Sequence, residues 1–140
     1  MSVQEVRIEQ VGPTTSKATA RSHTVFVDRP AARGGADKGP LGGEFFLIGL
    51  GGCFTSHMLA AIRARDAAVS EMSVQLTGTL DGTPERYTSI VIQVSAKCED
   101  SELLRKIVSI AERSCQVMNT LRDAVPISLD VQTANVDIST

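Results

Sequence analysis

The sequence predicts an α+β fold with a mostly antiparallel sheet. Three observations carry that expectation: alternating apolar and polar residues in the first forty positions, one long apolar segment from Phe45 to Ile62, and a strand pair, helix and final strand after it. With 140 residues, 42 % hydrophobic and 21 % charged, the chain suits a single domain over 1–140 with enough apolar material for a core.

Each element follows in order. Val6 and Ile8 flank Arg7, and Val25 and Val27 flank Phe26 after the polar run Arg21-Ser22-His23-Thr24, so two or three short strands are expected, broken near Gly12-Pro13. Arg29 to Gly43 contains Gly34, Gly35, Gly39, Gly42, Gly43, Pro30 and Pro40, which reads as a long irregular loop, and loops of that length in small domains are often functional.

Phe45 to Ile62 has no Asp, Glu, Lys or Arg and meets the lower length of a membrane-spanning helix, roughly 18 residues. Gly49, Gly51, Gly52, Thr55, Ser56 and His57 within it, and patterned segments on both sides, favour a core helix and no membrane. A helix that is apolar all round must be covered on every side, and a chain of this size has little material with which to do so; a homodimer is therefore expected.

Val74, Leu76 and Leu80 alternate with Gln75, Thr77 and Thr79; Ile90, Ile92 and Val94 alternate with Val91, Gln93 and Ser95. With Asp81-Gly82 as a turn, these form a hairpin whose connection runs on through Pro84 to Thr88. Asp100-Ser101-Glu102 supplies an N-cap and first-turn acid to a helix whose apolar face is Leu103, Leu104, Ile107, Val108 and Ala111. Ser114 to Leu121 reads as a short helical turn and Pro126 to Val131 as a last strand.

Composition excludes several function classes. Fourteen basic residues against sixteen acidic give a net charge of −2, and no basic run exceeds two, which argues against a phosphate-tracking surface and nucleic acid. Aromatic residues are 4 % with no Trp, so base- or sugar-stacking platforms are scarce. Three cysteines, Cys53, Cys98 and Cys115, are too few and too dispersed for a disulfide-stapled domain or an all-thiolate zinc site. The opening MSVQEVRIEQ lacks the apolar stretch of an export signal, so a cytoplasmic location is expected, and no cofactor motif stands out.

The candidates for chemistry are sulfur atoms and what lies near them. Cys53 sits in the apolar helix, where a buried cysteine commonly packs as a small hydrophobe; Gly51 and Gly52 before it leave bare backbone through which a substrate or another chain could approach. His57, four residues on, shares its helix face. Such a pair can lower a thiol pKa or begin a metal site, but too few soft donors remain to complete one, and His57 reads first as a packed or hydrogen-bonded histidine. Cys115 lies near a helix start, whose free N–H groups favour a thiolate. Cys98, followed by Glu99 and Asp100, has acid beside it and is the least suited to react. Glu44 at the helix opening complements the helix dipole, a sufficient role in itself; it lies nine residues before Cys53, out of phase with it unless the helix breaks at Gly49 to Gly52. Arg21, Arg29 or Arg33 could pair with such a carboxylate.

Two stretches in combination, Gly39-Pro40-Leu41-Gly42-Gly43-Glu44-Phe45-Phe46-Leu47-Ile48-Gly49-Leu50-Gly51-Gly52-Cys53 and Cys115-Gln116-Val117-Met118-Asn119-Thr120-Leu121, resemble the OsmC/Ohr family over about Arg21 to Val131. That resemblance implies an intertwined α+β homodimer, with mostly antiparallel sheets around two long central helices and two sites at the interface. It implies a thiol peroxidase acting on organic hydroperoxides: Cys53 as the attacking thiolate, Cys115 as the resolving thiol, Glu44 and an arginine (Arg21, then Arg29) orienting the reaction, and an external dithiol or lipoylated protein as reductant. Phe45, Phe46, Phe54 and Met58 could wall such a site and favour an organic peroxide, although residues of this kind are more often plain core. The sequence departs from the family pattern in three places: Gln116 replaces the proline that commonly follows the second cysteine, Glu44 falls nine rather than ten residues before Cys53, and no arginine matches unambiguously. The rival expectation is a non-enzymatic dimeric module of the same fold that binds a small apolar or thiol-bearing ligand.

Overall fold

The computed structural model describes residues 1–134, which fall into two compact units, Met1–Phe46 and the chain from Leu47 onward. The fold is α+β, with two three-stranded sheets and three α-helices among the described residues.

In the first unit, β1 (Arg7–Gln10), β2 (Ser16–Ala20) and β3 (His23–Val27) form an antiparallel meander in that order. Alternation places Ile8 opposite Ala18 and Ala18 opposite Val25, as the period of two requires. None of these strand residues is fully buried, and Val6, Ile8, Val25 and Phe26 remain exposed on this chain.

The glycine-rich loop that follows is not slack. Asp28, 2 % exposed, accepts hydrogen bonds from the Thr15 hydroxyl at 2.7 Å and the backbone N–H groups of Arg29 and Lys38 at 2.7 and 3.2 Å. Its own N–H donates to the Pro40 carbonyl at 3.0 Å, and the Asp37 N–H donates to the Arg29 carbonyl at 3.0 Å, so the loop is drawn closed. A single 3-10 turn, Ala31–Arg33, interrupts it. Gly39 is required by this closure, since a Cβ there would stand 2.0 Å from the Phe26 carbonyl oxygen.

Helix α1 (Gly42–Ala64) is longer than the sequence pattern indicates and unbroken through its glycines. In the second unit, β4 (Ser70–Asp81) and β5 (Arg86–Lys97) form the expected hairpin, but its connection is only residues 82–85, shorter than the run through Thr88, because pairing continues to Asp81 and Arg86. Strand β6 (Ile127–Ala134) then joins β5 in parallel, Ile92 opposite Leu129, so the second sheet mixes one antiparallel and one parallel pair. A parallel partner needs a crossover, and α2 (Ser101–Ser114) with α3 (Gln116–Leu121) supplies it.

The second unit's core gathers alternate residues of β5 (Ile90, Ile92, Val94, Ala96), the apolar face of α2 (Leu104, Ile107, Val108, Ala111) and Leu50, Phe54, Met58 and Ala61 of α1. Phe54 and Met58 serve the core, the commoner of the two roles expected of them; both are completely buried. Gly51 lets α1 approach β4, where a Cβ would lie 2.5 Å from a Leu76 methyl. The closeness of Gly51 to Cys53 thus serves packing, while Gly52 faces open space on this chain.

Two stability predictions follow from these contacts. Gly39→Ala forces a Cβ against backbone and is expected to cost about 1–3 kcal/mol in urea unfolding, more than Gly51→Ala, where the Leu76 methyl can turn aside. The Thr15 hydroxyl and the other donors hold the Asp28 carboxyl far below the usual carboxylate range, against the opposing effect of its burial. A depressed folded-state pKa stabilises above the unfolded value and is lost on acidification, so wild type should exceed Asp28→Asn in stability at pH 7 and the gap should close below about pH 4.

Candidate functional site

The site in the second unit begins with helix periodicity. Cys53 and His57 stand one turn apart on α1, both half-buried, so their side chains leave the helix on the same side. What they meet is the junction between α2 and α3.

That junction is a single residue. Cys115 ends α2 and caps α3: its N–H donates to the Ala111 carbonyl at 2.9 Å and its Sγ accepts from the Met118 N–H at 3.4 Å. Side chains from α3 and beyond hold the corner by capping the last carbonyls of α2, Asn119 Nδ2 donating to Arg113 O at 3.2 Å and Arg122 to Glu112 O at 3.3 Å. A corner fastened in this way fixes where Cys115 and Gln116 point.

The two sulfurs meet there. Cys115, wholly buried, lies beside Cys53, which is half-exposed on this chain. Burial pushes the Cys115 thiol up in pKa, and the neighbouring Cys53 pushes it further. The N–H groups of Met118 and Val117 act in the opposite direction and are outweighed. Cys115 does stand at a helix start, as the sequence indicates, but the expectation that this favours its thiolate is corrected: enclosure dominates over the helix N–H groups.

Gln116 completes the group. Its Oε1 accepts from the Cys53 thiol at 3.4 Å and lies 3.1 Å from His57 Nε2, so one carbonyl oxygen joins the thiol to the imidazole. Sequence reasoning registered Gln116 as a departure at the position after Cys115 and missed what its side chain does. The available signal was the replacement of a residue without hydrogen-bonding capacity by one with donors and an acceptor.

The remaining candidates have surroundings of their own. Glu44 accepts from the Leu41 N–H at 2.8 Å within the first unit, a carboxylate serving its own helix start. Arg21 occupies the β2–β3 turn with a left-handed φ of 55°; Arg29 and Arg33 are exposed residues of the closed loop. Cys98 is buried and donates to the Asp100 carbonyl at 3.0 Å. Among the described residues, no three or more His, Cys, Asp or Glu side chains are disposed to hold a metal ion.

The sequence and the fold have relatives among known proteins. The family model described as OsmC-like protein matches residues 35–130. No curated protein matches the sequence. Among solved structures, a hypothetical protein from Aquifex aeolicus superposes with a TM-score of 0.84 at 17 % identity, covering 98 % of this chain and 100 % of that one. An organic hydroperoxide resistance protein OsmC from Legionella pneumophila gives 0.72 at 17 % identity, covering 94 % and 98 %. The organic hydroperoxide resistance protein OhrB of Bacillus subtilis gives 0.68 at 18 %, covering 94 % and 98 %. These likenesses share the fold, and the family match extends over well more than half of the sequence, so the chain belongs to the OsmC-like protein family.

Proposed function

We propose that this protein is a cytoplasmic, homodimeric thiol peroxidase that reduces organic hydroperoxides. The observation that carries the reading is the contact between a half-exposed Cys53 and a fully buried Cys115. Two equivalent thiols would leave the order of events open, whereas this pair is asymmetric. Only Cys53 can be reached, and the raised pKa of Cys115 keeps it protonated and unreactive toward peroxide.

The chemistry is a two-electron exchange. The Cys53 thiolate attacks the outer peroxide oxygen, the O–O bond breaks, and the alkoxide leaves with a proton as the alcohol, giving Cys53 sulfenic acid. The Cys115 thiol condenses with it to a disulfide and releases water. An external dithiol, of the kind a lipoylated protein carries, then reduces the disulfide and is itself oxidised. Glu44 and an arginine, Arg21 before Arg29, are proposed to orient the peroxide, a role that rests on the resemblance alone. Two structural neighbours are organic hydroperoxide resistance proteins, which favours the same substrate class.

Dimerisation is supported by what the chain leaves uncovered. In the most apolar stretch of α1 only 28 % is buried, and Ile48 and Leu59 stand exposed along one side with Gly49, Gly52 and Ser56. A second copy laid against that side would cover it. The family match runs through the boundary between the two units, so both are read as one OsmC-like domain.

Two outcomes are expected. Consumption of cumene hydroperoxide with dihydrolipoamide should vanish in Cys53→Ser, while reduced Cys115→Ser, mixed with the hydroperoxide in the absence of any dithiol, should consume one equivalent and stop at a sulfenic acid that dimedone traps; steady turnover by Cys53→Ser would end this reading, and a wild-type protein without turnover would leave the binding-module alternative. Leu59→Asp should convert a dimer to a monomer in sedimentation equilibrium, because a carboxylate would be buried unpaired against the partner copy.

A further inference from the structure

We propose that Gln116 is a positioning residue that decides whether Cys53 is held as thiol or thiolate, through a half-turn of its side-chain amide that His57 selects. The inference rests on the reading of Cys53 as the reactive thiol and concerns how that thiol is controlled.

A glutamine amide carries an oxygen with two lone pairs on one side and two N–H donors on the other. In this structure the oxygen faces both neighbours, the Cys53 thiol at 3.4 Å and His57 Nε2 at 3.1 Å. An S–H donating to a carbonyl stabilises the neutral thiol; a thiolate in the same place would confront oxygen lone pairs. Rotating the amide by half a turn exchanges oxygen for nitrogen. Its N–H groups then point at sulfur and imidazole, a charge-assisted hydrogen bond stabilises the thiolate, and His57 must offer a lone pair at Nε2, as the neutral ring protonated on Nδ1 does.

The amide therefore admits two matched arrangements. In one, Cys53 is S–H and His57 carries a proton on Nε2; in the other, Cys53 is S⁻ and Nε2 is bare. Passing between them, the thiol proton goes to solvent, which Cys53 can reach, and the Nε2 proton is released or reappears on Nδ1. The titratable groups that meet Cys53 are Cys115 from the α2–α3 junction and, across the amide, His57 from its own helix.

The position of Gln116 suits this task. Its backbone is fixed: it opens α3 beside the capping Cys115, and its carbonyl accepts from the Thr120 hydroxyl at 2.7 Å. Its side chain is exposed, so the terminal amide has room to turn.

The test is alkylation of Cys53 by iodoacetamide in the reduced full-length protein, followed by site-resolved mass spectrometry at pH 7.5. Gln116→Glu keeps the shape but offers acceptors only, so the thiolate gains no donor and alkylation should slow about tenfold, the equivalent of one pKa unit. Gln116→Met removes both donor and acceptor. His57→Asn should change the wild-type rate by at least about threefold and have no effect in the Gln116→Met background. A wild-type rate in Gln116→Glu, a silent His57→Asn in the wild type, or an equal His57→Asn effect in both backgrounds would each overturn the proposal. Circular dichroism establishes folding; if Gln116→Glu fails to fold, the cycle between Gln116→Met and His57→Asn decides alone. Hydroperoxide turnover is not read here, so failure of the peroxidase reading and failure of this one give different results.

Discussion

The structure depends on one constraint, an apolar helix that the described residues leave largely uncovered. Helix α1 turns Leu50, Phe54, Met58 and Ala61 into the core of the second unit, where Gly51 admits the Leu76 side chain. That contact fixes the rotation of the helix about its axis, and the rotation fixes which residues can reach the α2–α3 junction. Cys53 lies one residue before Phe54 and His57 one before Met58, so both emerge at the edge of the buried stripe, neither sealed in the core nor freely exposed. The accessibility of the thiol is in this sense a consequence of packing: a shift of the helix by one residue would bury the sulfur among aliphatic side chains or carry it away from Cys115.

Much of this was legible in the sequence because it follows from periodicity. The period-two alternation of β5 and the apolar face of α2 locate the second sheet and its covering helix, and Asp100 caps α2 as its residue type and position indicate, accepting from the Glu102 and Leu103 N–H groups. The parallel pairing of β5 with β6 was not legible, since alternation shows which face of a strand is buried but not the direction of its neighbour. The loop after β3 is irregular, as its glycines and prolines indicate, apart from the turn Ala31–Arg33, but its closure was not legible. Its order comes from Asp28, a lone carboxylate whose donors lie up to thirteen residues away, and no local pattern announces such a contact.

The sulfur pair shows the same division. Its spacing in sequence says nothing about distance in space, and only the resemblance to a known pattern joined Cys53 to Cys115 before the fold did. The electrostatics of Cys115 could not be read locally either. A helix start alone would lower a thiol pKa, yet the residue sits at a corner between two helices packed on a sheet, and the loss of water there outweighs the N–H groups that face it. One position thus joins a backbone role, capping α3 through its sulfur, to a chemical one, staying protonated beside a reachable partner.

The departure at Gln116 follows the same logic. A proline at the first position of a helix is favourable because the N–H it lacks would find no partner there, and its fixed φ suits the helix. A glutamine can replace it at little structural cost, because the start of α3 is already secured by the Cys115 cap on the Met118 N–H and by the Asn119 and Arg122 side chains closing the end of α2. What the exchange adds is a long polar side chain one residue from a buried sulfur. The corner holds its backbone still and the α1 packing holds Cys53 and His57 within its reach, so the amide meets both without further adjustment. The first position of α3 is, in this chain, the residue that connects a thiol to an imidazole.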